Sequence, residues 1–401
     1  MSLQYFEPAG WKKRIAFFLV SQNISLFGSS VVSFSILWHI TLATSSGMWM
    51  MLATLCNNVP FVVISLFGGV WADRYSRKRL IMLADGFIAM ATLLLAVSFL
   101  LGYGRLPLLL VALAVRSLGA GVQNPAVKAV YPQLVPAEQL TRIQGINQTL
   151  GSVLSLLAPA AGGLVLGTVG IIGAFFLDVV TAAAAIFVMG FIRVERPRGA
   201  IAAKTILGDM KDGLAYTFGS KRLCRFIVFY VLSYLLFAPA FVLTPLLIAR
   251  TFGGEVWRLT VHEIVWAAAA ILGGVFVAVK GDFLDKVRTI AVCTAGFGVL
   301  FALLGVAWNF TVFLCFLAAA GFFLPVWTTA ITVYIQETAA PDKLGRVFSV
   351  TEFVSVGAIP VAVAVFGPLA DVVPVGALLL TSSALLIPLA IAYALRGRRP
   401  T

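Results

Sequence analysis

Apolar residues run along this chain in long unbroken stretches, and the charged residues collect in the short gaps between them. Turn residues and charges mark off twelve predicted helices, near 15–41, 48–71, 80–101, 107–130, 142–167, 171–192, 223–249, 259–280, 288–306, 309–335, 346–370 and 374–395. Each is about 20 residues or longer, the length that carries an α-helix across a bilayer core of about 30 Å. An even count puts both termini on one side. The cations say which side: Arg105, Arg250 and Arg258 fall at one face, Arg116 lies inside a span, and the remaining Lys and Arg gather at the other. Positive charge is retained in the cytoplasm, so the basic face and both termini are expected there.

Composition sharpens this. The 401 residues are 61% hydrophobic and 11% charged, whereas a soluble domain carries roughly 45–50% apolar and about 25% charged residues. In a soluble chain the net charge of +13 would point to nucleic acid; here the cytoplasmic loops account for it, and no nucleic-acid partner is expected. Cys56, Cys224, Cys293 and Cys315 fall in or beside apolar runs without a paired spacing, so they read as inert thiols. His39 and His262 stand alone, and neither a metal nor an organic cofactor is expected. Lys12-Lys13-Arg14 precedes a full-length span without a small-residue cleavage site, so no cleavable leader is expected. With no His/Asp/Ser constellation, HExxH or phosphate-binding loop, an intramembrane enzyme is disfavoured, and without a large extramembrane domain so is a receptor.

The longest polar stretch, 193–222, divides the chain into two expected six-helix bundles, 1–192 and 223–401. Within that linker Ile206, Leu207, Met210 and Leu214 fit one face of a short surface helix. A repeat supports the halves: Pro125…Tyr131…Pro136-Ala137-Glu138-Gln139-Leu140-Thr141-Arg142 recurs as Pro325…Tyr334…Pro341-Asp342-Lys343-Leu344-Gly345-Arg346, close to half the chain later. Duplicated six-helix halves place a transporter's site near the midplane.

Several polar residues lie where hydrocarbon should exclude them. Between spans 2 and 3, Gly69-Val70-Trp71-Ala72-Asp73-Arg74-Tyr75-Ser76-Arg77-Lys78-Arg79 sets one carboxylate before four cations, a pairing that topology alone does not require. Arg116, in mid-span, costs at least about 2.5–3.5 kcal/mol unless it finds a partner or water. It either tunes a nearby acid or holds a structural ion pair. The intramembrane acids Asp85, Asp178, Glu263 and Glu352 are candidate proton carriers. Asp85 could instead pair with the loop cations, and Glu352 with Arg346. Asn57-Asn58-Val59-Pro60 and Gln123-Asn124-Pro125 put polar groups beside helix-breaking prolines, which is tolerated only where they face protein or water. Phe34, Trp38, Tyr234, Phe237 and Trp327 belong to an aromatic set suited to walling a cavity for a bulky amphipathic compound.

These motifs resemble those of the major facilitator superfamily. The turn after span 2 looks like its loop signature G-x-L-A-D-R-x-G-R-K-x-x-L, matched by Gly69, Ala72, Asp73, Arg74, Arg77 and Lys78, with Trp71 and Ser76 as departures. Arg116-Ser117-Leu118-Gly119-Ala120-Gly121 resembles the R-x-x-x-G-x-G pattern linked to proton coupling, with each glycine one residue nearer the arginine. Pro159-Ala160-Ala161-Gly162-Gly163 resembles the end of the antiporter signature, with Leu154 and Ala158 in place of its upstream glycines. Further stretches, among them Ser25-Leu26-Phe27-Gly28-Ser29, Pro132-Gln133-Leu134-Val135-Pro136 and Leu344-Gly345-Arg346-Val347-Phe348-Ser349, resemble the macrolide-efflux and siderophore-exporter branch of drug:proton antiporters.

The resemblance implies an all-α membrane protein of twelve transmembrane helices in the bacterial inner membrane. It would act as a monomer, using the proton gradient to export a bulky macrolide- or multidrug-like small molecule by alternating access. A siderophore or lysophospholipid would suit the same fold. It implies a conformational gate at Gly69, Asp73, Arg74, Arg77, Lys78, Arg346 and Glu352, and proton coupling through Arg116 with Asp85, Asp178 or Glu263. The substrate cavity would hold Phe34, Trp38, Asn57, Asn58, Gln123, Asn124, Tyr234, Phe237 and Trp327. Pro159, Gly162 and Gly163 would form the bendable antiporter helix.

Overall fold

A computed structural model describes residues 10–136, 139–192, 194, 215–280, 285–340 and 344–397. These form thirteen helices and, among the described residues, no strand: α1 Trp11–Thr44, α2 Gly47–Arg74, α3 Arg77–Leu100, α4 Leu106–Leu134, α5 Leu140–Thr168, α6 Gly170–Gly190, α7 Lys221–Thr251, α8 Val256–Lys280, α9 Lys286–Gly305, α10 Phe310–Thr338, α11 Leu344–Val372, α12 Val375–Ala384 and α13 Leu386–Gly397. Twelve segments are long and apolar enough to cross a membrane, the last of them running over α12 and α13 as Val375–Leu395. The linker helix expected from residue 206 to 214 lies outside the described residues, as do Pro341 to Lys343 of the repeat.

Most helices outrun the apolar runs that predicted them, because hydrogen bonding continues until a residue stops it. α1 ends where Ser45 takes a φ of 47°, a left-handed conformation that a non-glycine residue adopts only under constraint. Ser220, Asp285 and Asn309 cap α7, α9 and α10 by accepting from the amides of Leu223, Arg288 and Val312. The last span breaks at Leu385 because Pro388 has no amide to give the carbonyl of Ala384.

The chain divides into two compact units, residues 1–39 with 55–203 and residues 40–54 with 204–401. In the first, α3 lies against α4 and α6, and α6 against α5. One buried cluster of this unit gathers Ile15, Phe18, Ile81, Val130, Tyr131 and Met189, with Phe18 edge-on to Tyr131 at 5.3 Å. In the second, α9 is the hub, touching α10, α12 and α13, while α8 packs on α10 and α7 on α11 and α12.

Candidate functional site

The first unit holds its charges in three distinct ways. Arg116 comes from α4, whose glycines let that helix approach its neighbours. A side chain on Gly121 would lie 2.9 Å from the carbonyl oxygen of Phe61, and one on Gly68 2.5 Å from the Gly121 oxygen, so α2 and α4 meet backbone to backbone. Gly119 leaves room for the side chain of Ile88 of α3, whose Cγ1 a side chain there would approach to 2.5 Å. The buried guanidinium ion-pairs with Asp178 of α6 through Nη1, which also reaches Thr92 Oγ1, while Nη2 donates to the Ser29 carbonyl at 3.3 Å. Asp178 is matched on both oxygens: Thr92 Oγ1 donates to Oδ2 at 2.8 Å and Ser29 Oγ to Oδ1 at 3.2 Å. Arg116 thus has a buried acidic partner, Asp178, inside the span.

Asp85 on α3 is held differently. Its Oδ1 accepts from Ser25 Oγ at 2.6 Å and from Gln123 Nε2 at 2.7 Å, while Oδ2 is buried with no hydrogen-bond partner. The side chain is 2% exposed, and its hydrogen-bonding partners are a hydroxyl and an amide rather than the loop cations. Both partners face a cavity of about 590 Å³ within this unit. Its wall is mostly neutral amides and hydroxyls, and it includes Asn57, Asn58, Gln123 and Asn124. Phe34 and Trp38 do not line it: Trp38 is buried at 1% exposure, and the Phe34 ring packs on it at 5.7 Å. Pro159 lies inside α5, where Gly162 and Gly163 are buried; a side chain on Gly162 would reach the Val31 carbonyl of α1 at 3.5 Å.

The cations after α2 split into two pairs. Arg77 donates through Nε to the Ala72 carbonyl at 3.0 Å and through Nη1 to Ala129 at 2.8 Å. Lys78 donates to the carbonyls of Gly190 and Ile192, each at 2.7 Å, capping the C-terminal end of α6. Arg74 and Arg79 remain exposed. Gly69 and the side chains of Asp73, Arg346 and Glu352 lie outside the described residues, and with them the expected gate pairing.

The second unit carries an aromatic cavity of about 240 Å³, lined by Tyr234, Phe237, Trp327, Phe241, Phe297 and Phe301. Phe237 stands edge-on to Trp327 at 5.4 Å and to Phe297 at 5.2 Å. Trp327 Nε1 is satisfied by Thr294 Oγ1 at 3.0 Å, which fixes the indole in the wall. Phe297 and Phe301 were not singled out from the sequence, although their spacing of four on α9 puts them on one helical face. Glu263 sits apart, with Oε1 3.5 Å from His262 Nδ1 beside a small cavity of about 80 Å³.

A further cluster in this unit escaped the sequence reading. Asp371, at the end of α11, accepts from the amides of Gly47 and Met48 at 2.7 and 2.9 Å and from Ser46 Oγ at 2.8 Å, capping α2. Arg250, at the end of α7, donates to Asp371 at 2.9 Å and also to the carbonyls of Ser45 and Ala370. Gly47 and Gly367 permit the approach: a side chain on Gly47 would lie 2.2 Å from the Gly367 oxygen. Asp371→Ala should free the strained turn at Ser45, raising amide exchange over residues 45–50 by about tenfold or more, the scale of losing charge-assisted hydrogen bonds. Unchanged exchange there would mean the clasp does not hold the turn.

The comparisons agree with this architecture. A family model described as transmembrane secretion effector matches residues 12–400. Macrolide efflux protein A of Streptococcus pyogenes is 28% identical over 388 residues, covering 95% of each chain. The multidrug efflux pump Tap of Mycolicibacterium fortuitum is 21% identical over 360 residues, covering 86% of this chain and 85% of that one. Among solved structures, the nucleoside transporter NupG superposes with a TM-score of 0.73 at 12% identity, over 97% of this chain and all of that one, a likeness of fold alone.

Proposed function

We propose that this chain, which belongs to the transmembrane secretion effector family of the major facilitator superfamily, exports a bulky amphipathic compound of the macrolide class in exchange for protons. The family and its relatives are multi-pass plasma-membrane efflux transporters, not enzymes. One observation carries the coupling: two buried carboxylates share the first unit, and only one has a cation. Asp178 is neutralised by Arg116, whereas Asp85 has a bare oxygen and shares both its partners, Ser25 and Gln123, with the wall of the polar cavity. A carboxyl in that position can take up a proton and give it back as its surroundings change, which is what coupling to a gradient requires. Arg116 and Asp178 then serve as the fixed polar frame against which Asp85 acts.

The aromatic cavity is the proposed site for the apolar body of the substrate. Its wall offers ring faces and edges and no carboxylate, so recognition there rests on shape and apolar area.

The test is reconstitution. In sealed proteoliposomes, an imposed pH gradient should drive accumulation of a labelled macrolide, and collapsing the gradient should release it. Accumulation that ignores the gradient would reject proton exchange, and the absence of macrolide transport beside transport of a siderophore would reject the substrate class. Phe241 lines the cavity yet is 40% exposed, so Phe241→Ala should leave folding intact and weaken macrolide binding about tenfold, the scale of one lost ring contact. Equal binding by the variant would remove the aromatic cavity from the substrate's path.

A further inference from the structure

Two of the four cations after α2 have structural work, and two do not. Arg77 and Lys78 spend their donors on the carbonyls of Ala72, Ala129, Gly190 and Ile192. Arg74 and Arg79 are exposed, and among the described residues neither has a hydrogen-bond or carboxylate partner. Both line a surface groove of about 470 Å³, together with Tyr75, Ser76, Leu80 and Leu83. The groove therefore has a polar end made of two guanidinium groups and two hydroxyls, an apolar end made of leucines and, among the described residues, no acidic side chain in its wall.

The apolar end does not stop at the groove. Along α3, Leu83, Phe87, Met90 and Leu94 are 70%, 49%, 56% and 64% exposed, and their spacing keeps them on one face. From Leu83 to Leu94 that face extends about 16 Å at 1.5 Å per residue, close to half of a hydrocarbon core of about 30 Å. Its length is that of an acyl chain in one leaflet. An exposed apolar stripe alone is ordinary lipid-facing surface. Here it starts at two guanidiniums that have no partner among the described residues, and charge followed by one leaflet's depth of apolar surface is the order of groups in a phospholipid.

We propose that this groove binds one phospholipid with an anionic headgroup, its phosphate between Arg74 and Arg79 and an acyl chain along α3 from Leu80 to Leu94. Guanidinium presents paired donors that match phosphate oxygens and loses less hydration than an ammonium would, so two arginines make a better phosphate clamp than two lysines. A zwitterionic lipid brings its own cation into the same space and leaves one arginine unmatched. A free phosphate would answer the charge but not the leucine face. Binding would add a ligand at the turn that joins α2 and α3, next to the carbonyl staples of Arg77 and Lys78.

The experiment uses the full chain in mixed micelles of phosphatidylglycerol and phosphatidylcholine with matched acyl chains, read by native mass spectrometry. One phosphatidylglycerol should be retained per chain, with a preference of about tenfold or more over phosphatidylcholine. Arg74→Gln with Arg79→Gln should reduce that preference to near equality at an unchanged thermal midpoint, because the staples remain. Leu83→Gln should weaken retention of both lipids while keeping the headgroup preference. Excess glycerol phosphate should fail to displace the lipid. A double variant that keeps the full preference would overturn the proposal, and so would displacement by glycerol phosphate, which would make the groove an anion site without a lipid. Lysine at both positions should retain part of the preference; loss of folding in the glutamine variant would move the test to that pair, where a preference equal to that of arginine would equally overturn the clamp.

Discussion

Asp85→Asn should reduce pH-driven export by about 100-fold or more while leaving substrate binding and gradient-free exchange in place, an effect on the scale of removing an essential proton-transfer group. Asparagine has the size of aspartate, and its carbonyl oxygen can still accept from Ser25 and Gln123 as Oδ1 does now. The variant is thus frozen in one protonation state without losing the contacts that position it. Asp85→Glu should keep a fraction of coupled transport, because the titrating group survives at a displaced position. Efflux and proton flux measured together in proteoliposomes decide the matter: normal pH-driven accumulation by the asparagine variant would end the assignment of Asp85 as the coupling carboxyl.

The second large effect is on stability. Arg116→Leu should destabilise the protein by about 3–5 kcal/mol, the usual result of stranding one member of a buried ion pair. Asp178 would keep Ser29 and Thr92 but lose its counter-charge in a site where its side chain is 1% exposed. Asp178→Leu should be as damaging for the mirror reason. Arg116→Met combined with Asp178→Leu should recover most of the loss, since an apolar pair of similar volume needs neither desolvation nor partners. Unfolding in detergent measures all three. A double variant as unstable as either single one would show that shape, and not charge matching, is what the pair supplies.

These two acids show how far the sequence could be read. Arg116 stood out because a guanidinium in a span demands a partner. That partner proved to be Asp178, on a helix two spans later. Nothing along the chain distinguished Asp178 from Asp85 as the matched acid. The amide pairs at 57–58 and 123–124 were legible as cavity groups because they sit beside prolines, and all four line the polar cavity. Phe34 and Trp38 carried the same aromatic signal as Tyr234 and Trp327, yet they pack on each other and are not among the lining residues of these two cavities, because residue type does not say which way a helix is turned. Arg250 was legible as a cation at one membrane face. Its clasp with Asp371 was not, because that depends on a left-handed Ser45 bringing the first amides of α2 to the carboxylate.

What the sequence determined by itself was the set of spans, their number and the face that carries the positive charge. Insertion into a bilayer sums the contributions of neighbouring residues along the chain, so a one-dimensional reading suffices for it. Tertiary structure alone decided which buried charge is matched, which arginines are spent on carbonyls, and which aromatics face a cavity. Successive side chains on a helix point about 100° apart, so contact depends on the rotation and crossing of two helices distant in sequence. That is why Asp178 and Asp85, alike as intramembrane acids in the sequence, differ in the fold: one meets an arginine, and the other keeps a buried oxygen without a hydrogen-bond partner.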